Sequence, residues 1–375
     1  MFMACKKPYA PNITSSNSNY LVVYGVINSG QDSTIINLSR TVNISDTAKT
    51  KPEAGAQATV ESDHNTSYSL QEISVGKYAA PNLNLNIAYK YRLHIKTSDE
   101  KEYLSDYETV KITPPVDSIG YITQANGIQL YVNTHDPNNN TRYYRWDYQE
   151  TWQFHAKYET SLITDGTKLT TRPANKQIYT CFSNQASSTI LLGSSAKLAQ
   201  DVIYQSPLTQ ITSTSEKIEA KYSILVKQYA LSSEEYNFWQ NLKKNTEQLG
   251  GIFDPQPSEV PGNIHCVTNP SEPVVGYVGV CSIQKKRIFI SKDQLPDNWI
   301  VSYPYQCNLD TLLYCHGPGV PCQNDVALFL LPLNTKEFAI YPIEIKGSAV
   351  GYLSTDSECA DCTIRGTTTQ PAFWK

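Results

Sequence analysis

The stretch KYRLHIKTSDEKEYLSDYETVKI, residues 90–112, decides the fold class. Tyr91, Leu93 and Ile95 alternate with Arg92, His94 and Lys96, the period of two that puts one face of a strand in a core and the other in water. Ser98-Asp99-Glu100 interrupts the run with turn formers before the chain returns through Tyr103, so the stretch reads as a hairpin. On its amino-terminal side, AQATVESDHNTSYSL (56–70) is a second hairpin, turning at Asp63-His64-Asn65. Before that, YLVVYGVINSG (20–30) and DSTIINLSRTVNI (32–44) read as two further strands.

Short strands, regular turn signals and no helical period predict a mainly β chain whose first unit is an immunoglobulin-like sandwich. That unit spans 20–115 and ends at Thr113-Pro114-Pro115, where proline restricts its predecessor and supplies no amide donor. Residues 1–19 read as a tether, because they carry turn formers without hydrophobic periodicity. A second, interrupted β unit is expected over 116–306. Its first strands, with Tyr144, Trp146 and Tyr148 on one face, resemble the first half of a fibronectin type III sandwich. The segment from Ala156 to about Ser215 is polar and reads as irregular, apart from one apolar run in ASSTILLGSSAKL (186–198). Alternation returns with Tyr222, Ile224 and Val226.

One helix is predicted, over 233–249. Ser232 and Glu235 have capping-box spacing, Gly250-Gly251 stops it, and Tyr236, Trp239 and Leu242 form its apolar stripe. PVVGYVGVCSIQKKRIFI (273–290) then reads as two strands turning near Gln284-Lys285-Lys286, and 307–375 as a loop-rich, cysteine-rich tail.

With 375 residues, 18% charged side chains and a net charge of -4, the chain lacks the basic field that attracts nucleic acid, so none is expected as a partner. Its longest apolar run, near Val326 to Leu333, falls short of the ~20 residues of a membrane helix. Nine cysteines in a background of 26 tyrosines, with only two methionines, fit an extracytoplasmic protein. Cys181, Cys266, Cys281, Cys307, Cys315, Cys322, Cys359 and Cys362 are disulfide candidates, and eight cysteines allow about 105 pairings. Cys5 precedes any element that could bury it. It can be a lipid attachment site, a bridge partner or a free thiol.

No nucleophile elbow, zinc helix, dinucleotide turn or phosphate loop occurs, and no catalytic residue or cofactor is expected. His316, beside Cys315 and near Cys322, could form a zinc site with Cys359 and Cys362, which is the alternative of a hydrolase or metal-dependent enzyme. An oxidising compartment favours disulfides there instead. Asp136, Asn138 and Asn140 have alternate spacing like a calcium loop, but its central glycine is absent, and a strand-connecting turn is the favoured reading of the same residues. Tyr144, Trp146 and Tyr148 are candidate ligand-facing aromatics. Four triplets that begin Asp-Ser/Thr, Asp32-Ser33-Thr34 and three with an apolar third residue, among them Asp310-Thr311-Leu312, fit a third reading, a structural glycosylated envelope protein.

The order of NYLVVYGVINSG, GKYAAPNLNLNIAYKYRLHIKT, YLSDYETVKITPPVDSI, NTHDPNNNTRYYRWDYQETW, YSILVKQYALSSEEYNFWQNLKKNTEQLGGIFDPQPSEVPGNIHC, NPSEPVVGYVGV and CADCTIRGT resembles the Bacteroidota lipoprotein family known as domain of unknown function 4249. That resemblance implies a secreted protein without an established reaction, lipid-anchored at the outer membrane and often encoded beside a TonB-dependent transporter. Cys5 would then be the acylated residue. The expected function is that of a non-enzymatic accessory or ligand-binding partner of such a β-barrel.

Overall fold

The computed structural model describes residues 19–42, 50–247, 260–303, 305–317, 319 and 321–374. Nine strands come from the first part of the chain. They are β1 (Leu21–Asn28), β2 (Thr34–Arg40), β3 (Lys51–Pro52), β4 (Gln57–Ser62), β5 (Ser67–Ser74), β6 (Lys77–Ala80), β7 (Lys90–Lys96), β8 (Glu102–Ser105) and β9 (Glu108–Thr109). The next nine are β10 (Val116–Gln124), β11 (Gly127–His135), β12 (Tyr143–His155), β13 (Leu162–Thr164), β14 (Leu169–Thr171), β15 (Thr180–Ala186), β16 (Leu191–Ser194), β17 (Val202–Thr212) and β18 (Lys221–Ala230). Helix α1 (Ser233–Glu247) comes after them, then β19 (Ile264–Cys266), β20 (Gly279–Cys281), β21 (Ile283–Ser291), β22 (Asp310–Leu313), β23 (Glu337–Ile345), β24 (Ser348–Asp356) and the short α2 (Ser357–Ala360). Among the described residues no helix is long and apolar enough to cross a membrane.

The first unit is an eleven-stranded sheet in the order β19-β8-β7-β4-β5-β6-β2-β1-β20, with β3 and β9 as side branches. It folds over at β5, whose residues are mostly exposed, so that its two halves enclose one core. Leu21, Val23, Ile36 and Leu38 from one half meet Val60, Tyr91, Leu93 and Ile95 from the other. The hairpins turn where expected, with Asn65 and Glu100 in the left-handed region that such tight turns need. The edges differ from the expected 20–115 unit. Strands β19 and β20 border this sheet from much later in the chain, and β20 runs parallel to β1 through Val26, Ile27 and Asn28.

The second unit packs the three strands β10-β11-β17 against the five-stranded sheet β15-β12-β18-β21, with β16 beside β12. Its core joins Ile128, Leu130 and Val132 of β11 to Tyr144, Trp146 and Phe154 of β12 and Tyr222, Ile224 and Val226 of β18. Strand β17 lies in the segment expected to be irregular. It is a border strand containing Pro207, with Gln205 at φ 49° and two register shifts against β11, and those bulges conceal its period.

The break expected near Gln284-Lys285-Lys286 lies earlier, at Ser282, where the chain passes from β20 in the first sheet to β21 in the second. The other crossing, at Thr113, is tied to it. The Thr113 N–H donates to Ser282 Oγ at 2.9 Å, and the Thr113 hydroxyl donates to the Ser282 carbonyl.

The tail is more ordered than its composition suggests. Strands β22-β24-β23 form a sheet whose core, Val326, Leu330 and Ala339, packs against Leu162 and Leu169 of the β13–β14 hairpin. The β23–β24 turn places Lys346 and Gly347 at positive φ, as a two-residue hairpin requires. Disulfides join Cys181 to Cys362, Cys307 to Cys359 and Cys315 to Cys322.

Candidate functional site

Strand β12 has a core on each side. Tyr144 and Trp146 point into the second sandwich, so period two sends Arg145 and Asp147 to the opposite face. That face is covered by α1. The Ser232 hydroxyl accepts the Glu235 N–H at 3.0 Å and starts the helix. At its far end Lys243 Nζ donates to the Ile190 carbonyl at 2.6 Å, and Glu247 accepts the Ile190 N–H at 2.6 Å. The helix is thereby fixed between the two sheets, where Phe238 and Trp239 join Val26 of β1, Tyr229 of β18 and Tyr277 in a joint core. The buried face includes Glu235 and Phe238, so it is rotated slightly from the expected Tyr236-Trp239-Leu242 stripe.

Arg145 is buried at this joint. Its guanidinium lies 4.4 Å from the ring centroids of both Tyr229 and Trp239 and 5.9 Å from that of Tyr24. Such stacking holds a delocalised cation well. Its hydrogen bonds are thin: Nη1 reaches Asp147 at 3.4 Å and the Tyr24 hydroxyl at 3.5 Å, and Nε has no partner. Burial works against the charge, but Asp147 and the phenols of Tyr24 and Tyr229 more than offset it, and the side chain stays cationic.

Glu235 is also buried. Burial pushes its carboxyl up to about 7, against the opposing pull of Arg145 and of the Trp239 indole N–H at 3.2 Å. A Cβ on Gly279 would meet that carboxyl group, so a larger residue there would require the Glu235 side chain to shift. Glu108 nearby is raised by burial too, although it accepts bonds from Tyr277 at 2.6 Å and Asn263 at 3.2 Å.

Arg145 forms the floor of a cleft of about 280 Å³ that opens between the first and second sheets. Register makes its walls. Across β12, β18 and β21, Arg145 faces Tyr229, which faces Ile283. One pleat along, Asp147 faces Lys227, which faces Lys285. The first unit supplies the opposite wall with Tyr24, Ile35, Asn37, Lys77 and Asp32. Lys285 pairs with Asp32 at 2.8 Å, while Lys227 and Lys77 make no ion pair among the described residues. The cleft thus gathers cations from both sheets, Lys77 from the first and Arg145, Lys227 and Lys285 from the second, around one space.

The residues singled out from sequence fall elsewhere. Cys5 lies outside the described residues. Six disulfide candidates are bridged, but Cys266 and Cys281 are free and buried, which corrects the expectation of eight bridged cysteines. They pack in different cores, Cys266 within the first sandwich and Cys281 at the joint, where burial pushes its thiol up to about 12. Tyr144 and Trp146 are fully buried core residues rather than a ligand face, and Tyr148 packs partly buried against the same core.

Asp136 spends its carboxylate on the N–H groups of Asn138, Asn140 and Thr141, each at 2.9 Å. Burial would raise that carboxyl, but these bonds hold it below the usual range, and they make the loop a side-chain-capped turn. His316 Nε2 meets Asp325 at 2.6 Å. Cys315, Cys322, Cys359 and Cys362, its four expected sulfur co-ligands, are all disulfide-bonded. No cluster of metal ligands occurs among the described residues.

Arg145 is inconspicuous in the sequence because it lies between two core aromatics, and only its position opposite Tyr229 and beneath Trp239 reveals the site. The readable signal is the paired lysines of β18 and β21 at matching phase. No curated protein matches the chain. Residues 6–287 match the family model of a domain of unknown function, DUF4249, covering the first sandwich, the helix, the second sandwich as far as the middle of β21, and every cleft residue. The chain belongs to the DUF4249 family.

Proposed function

We propose that this protein is a non-enzymatic binding protein of the cell envelope, acylated at Cys5 and held at the outer membrane, where it works beside a TonB-dependent β-barrel. The observation that carries the binding role is the cleft around Arg145. A buried, sparsely hydrogen-bonded cation at the meeting of two β bodies is a preformed recognition point, and ligand sites favour such junctions. Three disulfides support an oxidising compartment. The family resemblance supports the anchor and the transporter.

Purification of the tagged full-length chain from native envelopes in detergent tests this reading. Mass spectrometry is expected to find an acylated Cys5 and a co-purifying outer-membrane barrel, with acylation lost and the barrel depleted for Cys5→Ala. An unmodified amino terminus and no barrel partner would overturn it.

A further inference from the structure

We infer that the inter-sheet cleft takes a small organic carboxylate with an apolar body, the carboxylate directed at Arg145 and the Lys227–Lys285 pair. The inference deepens the binding role proposed above and rests on it.

Charge gives the sign of the ligand. Lys227 and Lys285 are direct cross-strand neighbours on one face, an arrangement of like charges that is unfavourable unless something negative lies between or beside them. Asp147 and Asp32 are the carboxylates lining the cleft, against the cations Arg145, Lys227, Lys285 and Lys77. Asp32 is already engaged by Lys285, and Asp147 reaches Arg145 only at 3.4 Å, so positive charge is left in excess. Arg145 adds a buried, stacked guanidinium with an unpartnered Nε, whose planar fork matches the geometry of a carboxylate.

The surroundings select an organic anion over a bare phosphate. No helix amino terminus lines the cleft, and its walls are almost wholly strand, so the converging backbone N–H groups typical of phosphate sites are missing. The lip is apolar instead: Tyr24 is 45% and Ile35 39% exposed, with Ile283 opposite. An aromatic or aliphatic body would cover these side chains while its carboxylate reached the floor. A volume of about 280 Å³ limits the ligand to a small molecule or one terminal residue of a peptide.

The test uses N-acetylphenylalanine, its uncharged amide and inorganic phosphate as probes, with binding to the full chain followed by calorimetry at low salt. The acid is expected to bind at least tenfold more tightly than the amide or phosphate and to weaken as salt screens the lysines. Lys227→Ala combined with Lys285→Ala removes a surface repulsion together with the exposed Lys285–Asp32 pair, which contributes little, and should leave the fold intact while weakening the acid at least tenfold. Arg145→Met should abolish binding, and because that variant disturbs the joint core, the double lysine variant carries the decision. Equal binding of acid and amide, preference for phosphate, absence of binding, or undiminished binding by the double variant would each overturn the inference. Should the barrel co-purify while the acid fails to bind, this inference falls and the envelope reading stands; if the acid binds without a barrel partner, the reverse holds.

Discussion

Burying Glu235 beside Arg145 gives the joint a pH dependence whose sign is set by proton counting. Its carboxyl ionises near 4.5 in an open chain and at about 7 when folded, so between those values the folded protein holds a proton that the unfolded chain has released. Stability contributed by this group is therefore greatest below pH 4.5, falls as pH rises through the interval, and stays low above 7. The charged or titratable groups acting on it are Arg145, which favours ionisation, and Glu108, which opposes it. Glu235→Gln keeps an acceptor for the Trp239 indole and removes the titration. Urea denaturation at pH 5 and pH 8 should show the wild type losing about 1–3 kcal/mol more than the variant across that span. An identical pH response in both proteins would show that Glu235 is not buried. The capping half of this residue's role was legible, since Ser232 stands three positions before it; its inward carboxyl was not, because capping-box spacing gives the backbone contact and says nothing about what the helix is pressed against.

At the scale of elements, covalent links hold the closing segment. Cys181 on β15 is bonded to Cys362, which anchors that segment against the second sandwich, and Trp374 stacks edge-on to Phe182 and Phe289 there. Cys362→Ser should lower stability by about 2–5 kcal/mol and expose the segment beyond it to protease. Alkylation of the native protein, followed by mass spectrometry, should leave Cys266 and Cys281 unmodified until denaturant is added, when both react; labelling of either in the folded state would contradict their burial. Strands with clean alternation, such as β7 and β18, were readable from their residues alone, since Tyr91, Leu93, Ile95 and Tyr222, Ile224, Val226 are all buried. Strands β17 and β23 were not. Each contains a proline, Pro207 or Pro342, and register shifts, and a border position tolerates both while erasing the period of two.

For the molecule as a whole, α1 acts as a wedge between two β bodies, and Trp239 is its central contact, touching Tyr24 of the first and Arg145 of the second. Trp239→Ala should cost about 3–5 kcal/mol and split one unfolding transition into two, because each sandwich keeps its own core. Denaturation followed by both tryptophan fluorescence and far-ultraviolet dichroism checks this, and coincident curves would count against a wedge. The mainly β class, the helix and the proline joint were legible, but the partition between units was not: periodicity identifies strands without saying which sheet receives them. Strand β20 joins the first sheet from far along the chain, so Val26 and Ile27 acquire their second neighbour only from Gly279 and Val280. During synthesis, amino end first, the flank of β1 must wait bare until most of the polypeptide has emerged, open to mispairing with any passing strand. Nascent molecules of this kind call for a holding chaperone until that late strand arrives, and a fragment stopping at Pro115 inherits the vulnerability for good.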